Sequence, residues 1–560
     1  MCILCKQGRP QHHLFSRRKF LKGAAATGAA ASALPLFAPR AAAADDGPPD
    51  GMGRPGRRIV IRNGAVMSMD PQVGDFARGD VLVEGKKILA VGPDLHAGNA
   101  AEIDARGRVV MPGFVDTHHH QFETALRSFL ADGLLISDPT SGPSGATTYF
   151  EFILNTFAPV YRPQDVYINE VFGGLSQLDA GVTTVLDVSQ IHHSPQHSDA
   201  AVQALFDTGR RAAFGYFESA GAVAGNQYPQ DAVRLKKQWF SSSDQLVHMI
   251  MGGEVYLGDP STDASWTLGR KLGLQIAAHI LSPFGIRPIM DRLAAGTGGN
   301  GHIGIRPDNL FIHMTGMSDT AWKRVFDVGA QVSLAVPIEM NMRHGMPPII
   351  RMQQMSAQYQ RAFEPSLSVD VECTLTADFF TQMRSAMNLQ RLVVNQMTLD
   401  KPNGNQNLPD PRNWELPQSA VVDPDPARPF FGYWPKKPAD VPQPLTTRDV
   451  LRYATINGAK GLRLENKTGS LTPGKEADII LLDATALNVA PLNQVPGAVV
   501  SLMDRTNVET VIVAGKARKW KGRLLDVDLN QLRGQIEASR DYIFNAANIP
   551  ANLRGPFSVQ

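Results

Sequence analysis

From Arg58 onward the chain alternates short apolar runs with turn residues. Ile59-Val60-Ile61 is followed by Asn63-Gly64. Val81-Leu82-Val83 is followed by Glu84-Gly85-Lys86 and then Ile88-Leu89-Ala90-Val91. Both patterns read as strand, turn, strand. The same texture returns near the other end. Gly474-Lys475-Glu476-Ala477-Asp478 runs into Ile479-Ile480-Leu481-Leu482, and Val511-Ile512-Val513 meets Ala514-Gly515-Lys516. Two strand-rich segments, 57–111 and 456–525, bracket a long middle, which predicts one small β-sandwich domain built from both ends of the chain. The middle, 112–455, has a different rhythm. Gly181 to Asp187 reads as a strand, Ser198 to Thr208 as a helix with Ala201, Leu205 and Phe206 on one side, and Arg211 to Tyr216 as a strand again. Such alternation predicts βα units around a parallel sheet. Two stretches break the rhythm: 131–162, with Tyr149, Phe150 and Phe152, and the Pro- and Asn-rich 397–445. Long loops in compact domains act as lids or are disordered insertions, and the aromatic cluster either caps a flat substrate or belongs to the core. Residues 526–560 are expected to form a helical tail.

The apolar run Val109 to Val115 ends in Asp116-Thr117-His118-His119-His120. Side chains alternate along a strand, so His118 and His120 share one face and His119 takes the other. Two imidazoles on one side are a ready pair of metal ligands, although His-x-His alone also fits a His-rich surface turn. Three further apolar runs end in chemistry-bearing residues: Gln275 to Ala278 in His279, Leu310 to Ile312 in His313, and Pro365 to Val369 in Asp370. Catalytic residues of a TIM barrel sit at the C-terminal ends of its strands. If His118 and Asp370 end strands one and eight, the intervening 252 residues leave about 36 per βα unit, which suits a (β/α)8 barrel. His279 then ends strand five and His313 strand six.

Pro112-Gly113-Phe114-Val115-Asp116-Thr117-His118-His119-His120 resembles the signature of the amidohydrolase superfamily, and Gly469-Ser470-Leu471-Thr472-Pro473-Gly474-Lys475-Glu476-Ala477-Asp478 resembles its C-terminal β-domain motif. The branch it is most similar to holds cytosine deaminase and the triazine chlorohydrolases, and the resemblance runs from about 57 to 525. It implies a divalent metal on His118, His120, His279 and Asp370, with Asp370 also the general base and His313 hydrogen-bonded to the attacking oxygen or the substrate. Imidazoles and a carboxylate suit zinc, with iron or manganese as alternatives. The implied reaction is hydrolysis of a C–N bond in an amide, lactam or aminated heterocycle by metal-activated hydroxide, with ring dechlorination or deamination as the alternative.

The pattern also departs from that branch. A bridging lysine for a second metal is missing between Asp244 and Asp259; Glu254 stands there instead, most simply as a strand-end surface acid. One metal is therefore expected. The acid usual three residues after the strand-five histidine is replaced by Ser282, which cannot shuttle a proton as a carboxylic acid does, and Glu339 is a candidate substitute. Glu339 to Gly345 resembles a Glu-x-x-Met-Gly-His-Gly segment of the branch. Glu339 and His344 either reach substrate or hold their loop. Gln121 is a further substrate-binding candidate. Glu123 and Arg127 either reach substrate or pair with each other at i, i+4 spacing. One of Asp187, Gln190, His192 and His193 is a candidate pocket residue.

The N-terminus changes the charge picture. Ser16-Arg17-Arg18-Lys19-Phe20-Leu21-Lys22, an Ala-rich stretch and Ala41 to Ala44 resemble a twin-arginine export signal over 1–44, followed by a linker over 45–56. The expected address is the periplasm or beyond, with the export machinery as one partner and a small-molecule substrate as the other. Residues 1–44 carry seven basic side chains and no acidic one, so their removal takes the formal charge from +2 to −5. No basic excess then remains to attract nucleic acid. Only Cys373 stays behind, which excludes an intramolecular disulfide. No later run is long and apolar enough to span a membrane. A homo-oligomer is left open. The competing classes are a metal-dependent decarboxylase, for which Arg127 or Arg343 would hold the carboxylate, and a non-catalytic binding protein on the same scaffold.

Overall fold

The computed structural model describes residues 47–137, 148–221, 223, 225–296, 303–400, 424–425, 428–432 and 441–550. The expected export signal over 1–44, residues 138–147 of the first long loop and most of the second long loop lie outside them. Five strands open the described chain: β1 (Arg58–Met67), β2 (Asp75–Glu84), β3 (Lys87–Gly92), β4 (Ala101–Asp104) and β5 (Arg108–Pro112). They join four from the far end in one mixed nine-stranded sheet. The junction is the antiparallel pairing of β5 with the strand Ile479–Asp483, Met111 opposite Ile480. Ile59, Ile61, Val81, Val83, Leu481 and Ile512 share its core, so neither end buries its apolar face without the other. Asn63-Gly64 does not reverse the chain as expected. β1 continues through it, with register shifts against β2 on either side of Gly64. Asn63 takes the left-handed conformation (φ 63) and donates its amide to Asp80 Oδ1 at 3.0 Å. The dipeptide is a bulge within a strand rather than a hairpin turn.

The middle of the chain forms eight parallel strands in sequential order: β6 (Phe114–His119), β7 (Val182–Ser189), β8 (Arg211–Tyr216), β9 (Val247–Gly252), β10 (Ile276–Ile280), β11 (Asn309–His313), β12 (Gln331–Leu334) and β13 (Ser366–Leu367). Helices such as Pro163–Asp179 and Pro195–Thr208 separate them. This is a nearly closed TIM barrel. Its interior is packed with inward-facing Val115, Leu186, Ala213, Ile250, Ala277 and Leu310. Ala459, Leu462 and Leu464 belong to the same cluster, so residues 456–464 complete the barrel rather than begin the β domain. Gly458 permits this: a Cβ there would lie 2.7 Å from the Val115 carbonyl oxygen.

β13 is only two residues long, and the seam with β6 is made by other means. Thr117 Oγ1 lies 2.7 Å from Ser333 Oγ and 2.8 Å from Ser366 Oγ, and donates to the Leu367 carbonyl at 3.0 Å. Beyond β13, the Asp370 amide donates to the His118 carbonyl and the His120 amide to the Asp370 carbonyl, both at 2.9 Å. The two sheets are tied by Arg211 at the start of β8. It donates to both carboxylate oxygens of Asp478 and to Glu476 at 2.7 Å. All three side chains are buried, so the Glu-Ala-Asp of the C-terminal motif works as a clamp between the sheets. The helix Leu529–Ala546 packs on Pro163–Asp179 through Leu532 and Ile536. No helix among the described residues is long and apolar enough to cross a membrane.

Candidate metal centre and active-site pocket

A register shift of β6 against β7 between Asp116 and His119 breaks the alternation that begins at Val115, and beyond it His118 and His120 share the inward face. Their Nε2 atoms are 2.8 Å apart, and His118 Nε2 is 2.9 Å from His279 Nε2 at the end of β10. Asp370 Oδ1 lies 3.6 Å from Nε2 of both His118 and His120. His313, ending β11, places Nε2 3.5 Å from Asp370 Oδ2. All five residues are buried. His118 Nε2 thus faces two other nitrogens at hydrogen-bond distance, and one proton cannot serve both contacts. A divalent ion can: zinc–nitrogen bonds of about 2.0–2.1 Å put neighbouring donors roughly 3 Å apart. Burial, then the neighbouring imidazoles, hold His118 and His120 well below the usual histidine range. The neutral imidazole is the form that ligates. The donor set fits a divalent metal.

Two carboxylates stand behind the imidazoles. Glu254, after β9, accepts from His279 twice, at Nδ1 (2.5 Å) and at the backbone amide (3.0 Å). It is fully buried, which corrects its reading as a surface acid. It turns the far ring nitrogen of His279 toward the cluster, the arrangement by which a carboxylate orients a metal-binding histidine. Glu254→Gln keeps an acceptor but loses the charge, and is expected to weaken metal affinity by about 10–100-fold. Competition against a chelator of known affinity checks this; unchanged affinity would make Glu254 a packing residue only. Glu339 plays the matching part for His313. Its Oε1 lies 3.0 Å from His313 Nδ1 and accepts from the Ala335 amide at 3.1 Å. Glu339 therefore stands behind His313 and does not line the pocket, so it does not take the place of the acid missing at Ser282.

Backbone strain concentrates at these residues. His313 (φ 68), Met314 (φ 54) and Asp370 (φ 71) all adopt the left-handed conformation without being glycine. Such outliers cost of order 1–3 kcal/mol each and persist where the surroundings over-determine them. For Asp370 the surroundings are the two backbone hydrogen bonds that close the barrel. The same bonds fix where its carboxylate points.

The cluster opens into a pocket that is partly open to solvent. Leu135, Tyr149, Phe150 and Leu154 line it from the segment after β6, and Tyr256, Leu281 and Phe284 from the segments after β9 and β10. Ile338, Met342 and His344 come from the segment after β12 and Val371 from beside Asp370; Gln190, after β7, completes the wall. His344 is buried, its ring 4.7 Å from that of His313. Burial, with His279 nearby, pulls its pKa down to about 3, so it is neutral. Of the four candidates after strand two, Gln190 reaches the cavity. His192 and His193 are held in place by Ser198, Ser219 and backbone carbonyls.

Gln121 does not reach the cavity. It donates to Glu170 at 2.8 Å and accepts from Arg210, in a buried network that also contains Asp187. The Glu123–Arg127 pair does not form either. Arg127 makes a two-pronged pair with Glu372 at 2.8 and 2.9 Å, while Glu123 accepts from the Tyr149 hydroxyl at 2.5 Å. Ser282 donates its amide to Thr315 Oγ1 at 3.2 Å and is not part of the cavity wall. The aromatic cluster splits: Tyr149 and Phe150 line the cavity, while Phe152 packs on Phe129 at 5.7 Å between ring centres.

Comparison with known proteins agrees with the barrel fold. Residues 435–518 match the amidohydrolase family model. A 5'-deoxyadenosine deaminase of Methanosarcina barkeri is 24% identical over 508 residues, covering 88% of this chain and 99% of its own. A 5-methylthioadenosine/S-adenosylhomocysteine deaminase of Symbiobacterium thermophilum is 25% identical over 463 residues, covering 78% and 88%. Among solved structures, an adenosine deaminase from Xanthomonas campestris with bound zinc superposes with a TM-score of 0.67 at 20% identity, over 87% of this chain and 98% of that one. Atrazine chlorohydrolase from Arthrobacter aurescens TC1 complexed with zinc gives 0.65 at 18% identity, over 86% and 100%.

Proposed function

We propose that this chain, a metal-dependent hydrolase of the amidohydrolase family, cleaves the C–N bond of an amide or lactam with one divalent metal, zinc in the first instance. The observation that carries the reading is that, among the described residues, Asp370 is the single carboxylic acid facing both the ligand cluster and the cavity. In amide hydrolysis, the oxygen of water bonds to the carbonyl carbon, the C–N bond breaks and the nitrogen gains a proton, giving a carboxylic acid and an amine. A bound divalent metal would polarise the carbonyl and lower the pKa of water. Asp370 accepts the proton of the attacking water and delivers it to the departing nitrogen. His313, held by Glu339, presents Nε2 to the same place and fixes the oxygen. Ring deamination adds a demand, protonation of a ring nitrogen, and Ser282 offers no acid for it.

The deaminase relatives, similar over most of the chain, favour deamination of an aminated heterocycle as the second reading, with ring dechlorination beside it. Decarboxylation loses its support: Arg127 is paired with Glu372, and neither Arg127 nor Arg343 lines the cavity. A non-catalytic role is disfavoured because all five core residues converge. The test is metal content with turnover of an amide, lactam, aminated-heterocycle and chlorotriazine panel. About one metal per chain and turnover of amides or lactams is the expected result. Two metals per chain, or exclusive turnover of heterocycles, would overturn it.

The N-terminal Arg17-Arg18 segment supports export to the periplasm. A reporter fused to residues 1–50 is expected to be exported, and Arg17→Lys with Arg18→Lys to retain it in the cytoplasm. Retention of the unmutated fusion would refute this.

A further inference from the structure

The wall of the cavity restricts the substrate more tightly than the metal ligands do. Beyond the cluster residues, no lysine, arginine or carboxylate lines it among the described residues. β6 and β10 are first and fifth in a ring of eight, so the segments that follow them stand on opposite sides of the mouth. One presents Leu135, Phe150 and Leu154, the other Leu281 and Phe284, against which Tyr256 packs from the neighbouring segment after β9, 4.6 Å between ring centres. The ligand histidines and Asp370 lie between. Two apolar walls therefore flank the reacting centre. Their character extends outward: Phe150, Leu257, Met340 and Met346 are 36%, 49%, 52% and 49% exposed, each lining the cavity or lying within two residues of one that does. Within the wall, His344 is 3% exposed, and both its ring nitrogens lack a hydrogen-bond partner among the described residues. A neutral imidazole can donate one hydrogen bond and accept another, as an amide group requires.

We propose that the substrate is a neutral secondary amide carrying an apolar group on each side of the scissile C–N bond, an anilide or aryl-alkyl amide, with His344 hydrogen-bonded to the amide. This rests on the amide hydrolysis proposed above. Each wall takes one half, and the bond lies over the cluster. A carboxylate or ammonium on either half would lose its water without gaining a partner. The hydroxyl groups of a nucleoside would meet mostly hydrocarbon.

The test uses the full chain reconstituted with zinc and four probes: benzanilide, its 4-carboxylate, acetamide and 5'-deoxyadenosine. Turnover is measured, and so is calorimetric binding of benzanilide and its 4-carboxylate to the Asp370→Asn protein, which reads the cavity without catalysis. Benzanilide is expected to exceed each of the other probes in kcat/KM by about tenfold or more, the worth of one well-buried apolar group. Phe150→Ser, at a position already over a third exposed, is expected to raise KM about tenfold with kcat moved far less. A hydrolase that prefers the carboxylate or the nucleoside would overturn the substrate class and leave a hydrolase. Tighter binding of benzanilide without turnover of any probe would uphold the class and sink amide hydrolysis. Equal binding of benzanilide and its carboxylate, without turnover, would overturn the proposal.

Discussion

Asp370→Asn is expected to reduce turnover by about 10²- to 10⁴-fold, the range lost when a positioned proton carrier is removed, with the fold unchanged. Asn is the informative replacement for a structural reason. Asp370 sits at φ 71, a conformation that Asn tolerates better than most residues. The bonds that close the barrel here run from the Asp370 amide to the His118 carbonyl and from the His120 amide to the Asp370 carbonyl. They involve backbone only, so the substitution leaves them in place. The lost group is a carboxylate oxygen that both faces the metal ligands and takes a proton. Weaker metal binding and slower chemistry are therefore both expected. Assay at saturating zinc separates them: restored metal content with turnover still down at least a hundredfold assigns the loss to proton transfer. Turnover within about threefold of wild type at full metal occupancy would remove Asp370 from the chemistry. Thermal unfolding of the two proteins, each without metal, guards against a folding artefact.

The elements of the barrel and the five converging residues were legible because each is written locally. A short apolar run followed by a histidine or aspartate is a strand end, and strand ends of a barrel meet in space. What supports those residues was not legible. Glu254 reads locally as an acid after a strand, and such acids are commonly exposed. Its burial follows from Gly252 and Gly253. A Cβ on the first would lie 2.3 Å from the Phe217 ring, and on the second 2.4 Å from Trp266. Only without those atoms can the backbone run so close beneath the rings and carry Glu254 inward to His279. The paired glycines were the available signal, and it has meaning only once Phe217 and Trp266 are placed. Gln121 and Arg127 were misplaced for a similar reason. Their partners, Glu170, Arg210 and Glu372, are distant in sequence, and helical spacing says nothing about them. Asn63-Gly64 fits a turn and a bulge equally well until Asp80 is there to hold the Asn63 amide.

Arg210→Met is expected to give the largest loss of stability, about 3–5 kcal/mol, the cost of leaving buried charges without their counter-ion. Arg210 immediately precedes β8 and is fully buried. It donates to Gln177 Oε1 at 2.6 Å and to Gln121 Oε1. Its charge faces Asp116, Asp187, Glu170 and Glu372; burial draws its own pKa down to about 10 against the pull of those acids. Asp116 links the elements that meet at the barrel seam, accepting from the amides of His118 (3.2 Å) and Val369 (3.1 Å) and from Gln177 at 2.5 Å. Burial already holds the Asp187–Glu170 pair above the usual carboxylate range with Arg210 present. Without it their folded-state pKa values rise further. A carboxylate whose folded pKa exceeds its unfolded one loses stability as pH rises between the two. The deficit of the variant should therefore be greatest above pH 7 and shrink as pH falls toward the unfolded-state values near 4. Arg210→Lys keeps a charge but not the fork that reaches both glutamines, so it should fall between wild type and Met. Urea unfolding at pH 5 and pH 8 checks both claims. A deficit under about 1 kcal/mol at pH 8, or one that grows toward pH 5, would mean that the acids around Arg210 are neutral in the folded protein and that its charge contributes little to holding β6 and its neighbours in place.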